Sequence, residues 1–112
     1  MTNGRDLGRT SYAVIWRSGD GPVRPGKLVL GPKSFHLETG KPGGRISAER
    51  IRYADLASVE KAPPAERLHG RPTTVVRRTE REPLSISAMD GLGSAHEIVE
   101  RLARSLPSRG AA

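Results

Sequence analysis

The stretch GKLVLGPKSFHLETGKPGGRISAERIRYADLASVE, residues 26–60, decides the fold of this chain. Short runs of alternating apolar and polar residues are separated there by turns rich in glycine and proline, at nearly even spacing. Leu28 and Leu30 share one face of the first run, and Phe35 and Leu37 share one face of the next. Successive side chains on a strand point to opposite faces, so this pattern predicts an antiparallel β-meander.

The same alternation continues on both sides of this stretch. Before it, Tyr12, Val14 and Trp16 form one large apolar face, which predicts the first strand. After it, the β-branched run from Thr73 to Val76 has the highest strand propensity in the chain. The strands are predicted at residues 12–17, 27–30, 35–38, 45–53, 56–61, 73–76 and 84–88, with a bulge or break near Ala48 and a turn over residues 80–83. Residues 56–61 are also compatible with a turn.

One helix is predicted, after all of the strands. Apolar residues recur at intervals of three and four, which is one stripe of a 3.6-residue period: Ala95, Ile98, Val99, Leu102 and Leu106. Ser94 and Glu97 fit a capping box, and Pro107 ends the helix. Strands followed by one terminal helix predict a mainly β domain, a seven-stranded antiparallel barrel or sandwich capped by one C-terminal α-helix.

Length and composition limit the possibilities further. The 112 residues are enough for one core and too few for two, so we expect one domain over residues 11–106, a flexible lead over 1–10 and a disordered tail over 107–112. Residues 39–44 are predicted to be a mobile loop. No apolar run approaches the roughly 18 residues of a membrane span, and no secretory signal opens the sequence. A cytoplasmic protein is expected, with peripheral contact to a membrane as an option.

The chain carries a formal net charge of +7, and 15 of its 19 basic residues are arginine. Such a charge favours encounters with nucleic acid, an anionic lipid surface or an acidic protein. The arginines are spread over the whole sequence, whereas nucleic-acid-binding domains usually concentrate them on one element. A GC-rich coding sequence explains the same composition, so both interpretations stay open.

No set of residues predicts a reaction. The chain has no cysteine, and His36, His69 and His96 lack the spacing of a zinc site. No G-x-S-x-G nucleophile motif is present. We therefore expect a non-enzymatic protein with no catalytic residue, no metal and no cofactor.

The phrases Gly26-Lys27-Leu28-Val29-Leu30 and Tyr53-Ala54-Asp55-Leu56-Ala57-Ser58-Val59, together with seven strands and a terminal helix, resemble a pleckstrin-homology-like (PH-like) domain of the small bacterial type. The resemblance covers residues 12–106. It implies a binding or scaffolding domain. Members of the wider superfamily use the rim of the first strand-to-strand loops to bind phosphoinositide head groups, peptides or protein partners.

That resemblance points to the first hairpin, where Arg17, Arg24 and Lys27 are the candidate ligand-binding residues. Phosphoinositide readers have one residue between their last two cations, and here there are two. Three cations near a loop can hold a phosphate through charge-assisted hydrogen bonds. The partner expected for this rim is a protein or an anionic lipid surface; the oligomeric state is left open.

Two arginine groups predict an alternative, the binding of nucleic acid or a cyclic nucleotide. Arg5 and Arg9 match the R-x-x-x-R element of PilZ domains, which bind cyclic-di-GMP, but the barrel motif of that family is missing. A second group surrounds the sixth strand and consists of Arg71, Arg77, Arg78 and Arg81. Arg77 and Arg78 are adjacent on a strand and must point to opposite faces, so only one of them can join a common patch.

Overall fold

A computed structural model describes residues 10–40 and 46–107 of the chain. It contains seven strands and one α-helix: β1 (Ser11–Ser18), β2 (Arg24–Leu30), β3 (Ser34–Gly40), β4 (Ile46–Arg52), β5 (Leu56–Lys61), β6 (Thr74–Arg78), β7 (Arg81–Ala88) and α1 (Leu92–Arg104). Short 3₁₀ turns lie at Tyr53–Asp55, Pro64–Glu66 and Leu68–Gly70. Most of the predicted lead, loop and tail, residues 1–9, 41–44 and 108–112, lies outside the described residues.

All seven strands belong to one antiparallel sheet in the order β4-β3-β2-β1-β7-β6-β5. The sheet curls into a half-barrel with β1 at its centre, and β4 and β5 are its two edges. The predicted fold class is therefore confirmed as mainly β, with seven antiparallel strands and one C-terminal helix. The helix is not long and apolar enough to cross a membrane, and the part of the chain that the structure describes has no other helix that is.

The concave face of the sheet holds the core, as the alternation predicts. Tyr12, Val14 and Trp16 of β1 are buried there, as are Phe35 and Leu37 of β3. The rest of the buried cluster comes from the other strands and the helix: Leu28, Leu30, Ile51, Leu56, Val76, Leu84, Ile86, Ala88, Ile98 and Leu102. Burying a large aliphatic side chain contributes about 1.5–3 kcal/mol, so this face supplies most of the stabilisation.

The long connection between β5 and β6 is held against β7. The Ser87 hydroxyl donates to the Pro72 carbonyl over 2.9 Å, and the Ala62 amide donates to the Thr73 carbonyl over 2.9 Å. Inside the connection, the Thr73 hydroxyl accepts from the Leu68 amide at 2.9 Å. These hydrogen bonds fix the shape of the connection, which contains no strand. Leu68, within the connection, is buried.

The helix α1 packs against β5, β6 and β7 and covers one end of the half-barrel. Tyr12 ties it to the central strand, because its hydroxyl donates to Glu97 over 2.8 Å and accepts from Arg101 over 3.1 Å. Tyr53 lies beyond β4, where its hydroxyl donates to the Gly31 carbonyl over 2.8 Å and its ring lies 5.9 Å from that of Phe35. Tyr12 thus adds polar contacts to the apolar packing of the helix, and Tyr53 joins the end of β4 to the β2–β3 turn.

The predicted capping box is wrong. The helix begins at Leu92, its N-cap is Gly91 with φ of 119°, and no side chain caps it. Ser94 is buried within the first turn, and the Glu97 carboxylate accepts from Tyr12 instead. A glycine can take this backbone conformation at little cost, which moves the start of the helix toward the N-terminus.

Two strand details also differ from expectation. β4 pairs with β3 without a register shift from Ile46 to Arg52, so the break near Ala48 does not occur. The irregularities lie elsewhere, between Leu56 and Ser58 and between Val76 and Arg78. The β6–β7 turn lies at residues 79–80, and β7 already begins at Arg81. Glu80 has a φ of 59°, in the left-handed region of backbone conformation. This conformation reverses the chain within residues 79–80, so the turn is shorter than the predicted turn over residues 80–83.

Gly26 is required by the close approach of β2 and β3. A Cβ atom at this position would overlap the carbonyl oxygen of Glu38. We therefore expect Gly26→Ala to lower the free energy of unfolding by about 1–3 kcal/mol, the usual cost of overpacking. Urea unfolding measures it. Gly93 is the matched control, because a Cβ there meets nothing within 4 Å and Ala favours a helix. Equal effects of Gly26→Ala and Gly93→Ala would contradict this account.

The two tyrosines make stability depend on alkaline pH. Burial raises the pKa of Tyr12 and of Tyr53 above the value near 10 of a free phenol. The unfolded chain ionises first, so the contribution of these groups is complete below about pH 10 and is lost as pH rises through their folded values. Absorbance at 295 nm should show tyrosinate only above the free-phenol range, and the free energy of unfolding should fall there. A Tyr53→Phe variant should show a shallower fall; an unchanged slope would refute the prediction.

Candidate functional site

The structure brings two of the three predicted ligand-binding residues together. Arg17 and Arg24 line a pocket of about 220 Å³ at the end of the half-barrel away from α1. Lys27 is exposed on β2, beside Ala13 of β1 and Glu38 of β3, and is not among the residues that line this pocket. We call this pocket the end pocket; its lining residues are Trp16, Arg17, Ser18, Gly21, Pro22, Arg24 and Glu49.

The turn between β1 and β2 positions one wall of the end pocket. The Gly19 amide donates to the Pro83 carbonyl over 2.8 Å, and the Gly21 amide donates to the Ser18 carbonyl over 3.0 Å. Gly19 has a φ of 55°, a conformation that glycine adopts without strain. The turn is therefore anchored to β7, and Arg24 begins β2 opposite Trp16.

Two residues of the end pocket have buried donors without a partner. The indole Nε1 of Trp16 and the Nε of Arg17 are inaccessible to solvent, and neither donates a hydrogen bond. Trp16 itself is only 8% exposed. A buried donor without an acceptor costs about 1–3 kcal/mol, and both atoms lie below the surface of the end pocket, out of reach of a group bound in it. Sequence reasoning assigned Trp16 to the core alone and missed its polar atom.

Glu49 brings a carboxylate to the end pocket, but its charge is already matched. Its Oε2 atom accepts from Nη1 of Arg78 at 2.8 Å and from Nη2 of Arg81 at 3.4 Å. Arg78 also donates through Nε and Nη2 to the Glu82 carbonyl, at 3.0 and 2.7 Å. The side chain of Arg78 is 4% exposed, so this ion pair forms part of the interior.

These contacts also determine whether the arginine group around β6 forms a basic patch. Arg77 and Arg78 point to opposite faces as predicted: Arg77 is exposed and pairs with Glu60 at 3.2 Å, whereas Arg78 is turned inward. Arg81 pairs with Glu49. Three of the four guanidinium groups therefore have carboxylate partners, and they do not form one basic patch.

The histidines are dispersed. The Nε2 atom of His36 lies 3.2 Å from Glu38 on β3, His69 occupies a 3₁₀ turn with φ of 51°, and His96 is exposed on α1. Over residues 10–40 and 46–107, no three His, Cys, Asp or Glu side chains are grouped so that they could hold a metal ion. Arg5 and Arg9, the pair that matches the PilZ element, lie outside the described residues.

Comparisons with known proteins bear on the fold. No family model matches the chain. No curated protein is similar to it at a significant level. Among the solved structures that are similar is the C-terminal domain of an unknown protein from Leishmania infantum, with 12% sequence identity and a TM-score of 0.62, over 84% of this chain and 81% of that chain. At this identity the similarity shows the fold alone.

The Arg78 ion pair should be far more important than the neighbouring one. Arg78→Met leaves the Glu49 carboxylate and the Glu82 carbonyl without their main donor, and we expect a loss of about 2–4 kcal/mol in the free energy of unfolding. Arg81→Met removes a pair whose arginine is 65% exposed, so we expect less than about 1 kcal/mol. Urea denaturation of both variants measures the difference, and similar losses would contradict it.

Proposed function

We propose that this protein is a non-enzymatic docking domain of the PH-like type, which binds a phosphate-bearing group of its partner in the end pocket. The half-barrel with one terminal helix supports the PH-like assignment, as do the residues that carry the resemblance. The location of Arg17 and Arg24 beside the β1–β2 turn supports the choice of site.

The observation that carries the proposal is that two cations, Arg17 and Arg24, line one small pocket. Among the described residues, neither Arg17 nor Arg24 has a carboxylate within ion-pair distance. A phosphate offers three acceptor oxygens and up to two negative charges, so it can accept from several donors at once. A phosphomonoester therefore fits the end pocket better than a single neutral acceptor.

The charges nearby favour a specific group over a diffuse anionic surface. Glu49 is neutralised by Arg78 and Arg81, so it does not repel a bound anion strongly. Asp20, Glu80 and Glu82 lie on the same end of the half-barrel, in the adjoining turns. Binding to a lipid surface by charge alone needs several unopposed cations, each worth about 1 kcal/mol. The end pocket instead offers two cations, Arg17 and Arg24, at the wall of a small volume.

The alternative of nucleic-acid binding has less support. The guanidinium groups of Arg77, Arg78 and Arg81 already bind carboxylates. The aromatic rings of Tyr12, Trp16 and Phe35 are buried in the core, where they cannot stack on bases. No observation favours this alternative over the end pocket, and it stays an outcome of the test below.

The test measures the binding of a phosphate group that is carried either by a peptide or by a lipid. Calorimetric titration with a phosphoserine peptide and its unphosphorylated twin covers a protein partner. Flotation with phosphatidylcholine vesicles, with and without phosphatidic acid, covers a lipid. We expect phosphate-dependent binding in one arm, and a double variant Arg17→Gln, Arg24→Glu should weaken it at least about tenfold, because each lost charged hydrogen bond costs about 1.5–3 kcal/mol.

Lys33→Glu is the control variant, since it changes the charge on the β2–β3 turn, outside the end pocket. It should leave binding within about twofold, and all variants should keep the melting temperature of the unaltered protein. The absence of phosphate-dependent binding in both arms would reject the proposal. A salt-sensitive signal with single-stranded DNA that Arg24→Glu does not change would favour the alternative.

A further inference from the structure

A second concave surface lies at the other end of β6, beside α1. It is a groove of about 320 Å³ between the first half of the helix, the end of β5 and the connection to β6. Thr74 lines this groove and Arg78 lines the polar pockets at the opposite end, four residues or about 13 Å along the same strand. We call this surface the helix groove; its apolar residues are Ala62, Pro72, Leu92, Ala95 and Val99.

The helix presents an apolar stripe to this groove, of which only Ala95 also packs against the core. Ile98 and Leu102 are buried against the sheet, whereas Leu92, Ala95 and Val99 form a neighbouring stripe at i, i+3 and i+7. Leu92 is 73% exposed, more than any other large hydrophobic residue in the described part of the chain. Exposure forgoes about 1.5–3 kcal/mol for a leucine, so Leu92 contributes little to folding and is free to contact a partner.

The opposite wall of the helix groove is rigid. Thr73 accepts from the Leu68 amide and donates to the Arg71 carbonyl over 2.8 Å, and Pro72 is held by Ser87. A wall fixed by such bonds loses little conformational entropy when a partner docks. The groove is therefore formed before binding.

The rim of the helix groove carries unopposed positive charge. Lys61 and Arg67 line it, and neither has a carboxylate within ion-pair distance among the residues that the structure describes. No Asp or Glu is among the lining residues. Charge complementarity therefore selects an acidic occupant. A second copy of this chain would bring the same cations and a net charge of +7, which opposes self-association at this surface.

We propose that the helix groove docks an acidic segment of a partner protein, with one apolar side chain seated against Leu92 and Val99 and flanking carboxylates bound to Lys61 and Arg67. This surface is distinct from the end pocket and does not depend on phosphate. It gives the domain two separate contacts, one at each end of the half-barrel.

The test follows the backbone amides by ¹⁵N–¹H NMR as a synthetic peptide is added. The probe is a short Glu-rich peptide with a single central Leu. Two control peptides are titrated in the same way. One has Gly in place of the central Leu, and the other has Lys in place of every Glu. We expect dose-dependent shifts at Lys61, Thr74, Leu92 and Val99 with the first peptide, weaker shifts with the Gly peptide and none with the Lys peptide.

Leu92→Ser should weaken binding at least about fivefold, because it removes most of an apolar contact. Met89→Ser is the matched control: Met89 is the other exposed large hydrophobic residue, 43% exposed, and does not line the groove. Both residues are exposed, so neither variant should change the melting temperature. Arg24→Glu should leave peptide binding unchanged, and Leu92→Ser should leave phosphate binding unchanged, which separates this proposal from the end pocket.

Three outcomes would overturn the proposal. The first is no shift at about 1 mM of the Glu-rich peptide, the weak end of protein–peptide affinities. The second is shifts of equal size with the Glu-rich and Lys-rich peptides. The third is shifts of the groove amides that depend on protein concentration without any peptide, which would make a second copy of the chain the occupant.

Discussion

One buried guanidinium holds the two sides of the half-barrel together. The sheet has unpaired edges at β4 and β5, and Arg78, one strand in from the β5 edge, reaches Glu49 on β4 while binding the Glu82 carbonyl on β7. Burying a charge is costly unless its donors are satisfied, and Nε, Nη1 and Nη2 of Arg78 all donate hydrogen bonds. The same contact places Glu49 at the end pocket and neutralises it. Closure of the fold and the electrostatics of the candidate site thus depend on one side chain.

Much of this fold could be predicted from the sequence because alternation and helical periodicity report directly on burial. Tyr12, Trp16, Phe35 and Leu37 all lie on the predicted core face. Details that depend on a single backbone conformation could not be predicted. Glu80 adopts a left-handed φ that few non-glycine residues take, which shortens the turn before β7. Ser94 and Glu97 fit a capping box in sequence, but burial of Ser94 and the bond from Tyr12 to Glu97 determine their actual contacts.

The candidate site was predicted only in part. Arg17 and Arg24 could be chosen because they flank a turn of the first hairpin, but Lys27 was grouped with them by proximity in sequence. On a strand, proximity in sequence does not imply a shared surface: Lys27 faces away beside Glu38. Trp16 could not be recognised as part of a polar site, since its ring satisfies the apolar pattern and its free Nε1 is visible only once its neighbours are placed. The same holds for Arg78, because strand parity shows that one of two arginines points inward but not which one.

The distribution of ion pairs bears on whether the basic composition has a function. Along the described chain many arginines sit beside carboxylates, as in the pairs Arg52–Asp55, Arg77–Glu60 and Arg104–Glu100. These pairs are exposed and contribute little to stability, and the net charge of +7 therefore rests on the cations that have no carboxylate beside them. The cations left without carboxylates include two at each concave surface: Arg17 and Arg24 at one end, Lys61 and Arg67 at the other. Composition alone does not place unopposed cations in both pockets. Two cations without a carboxylate partner in one small concavity form a local positive site that can hold an anionic group at a defined position.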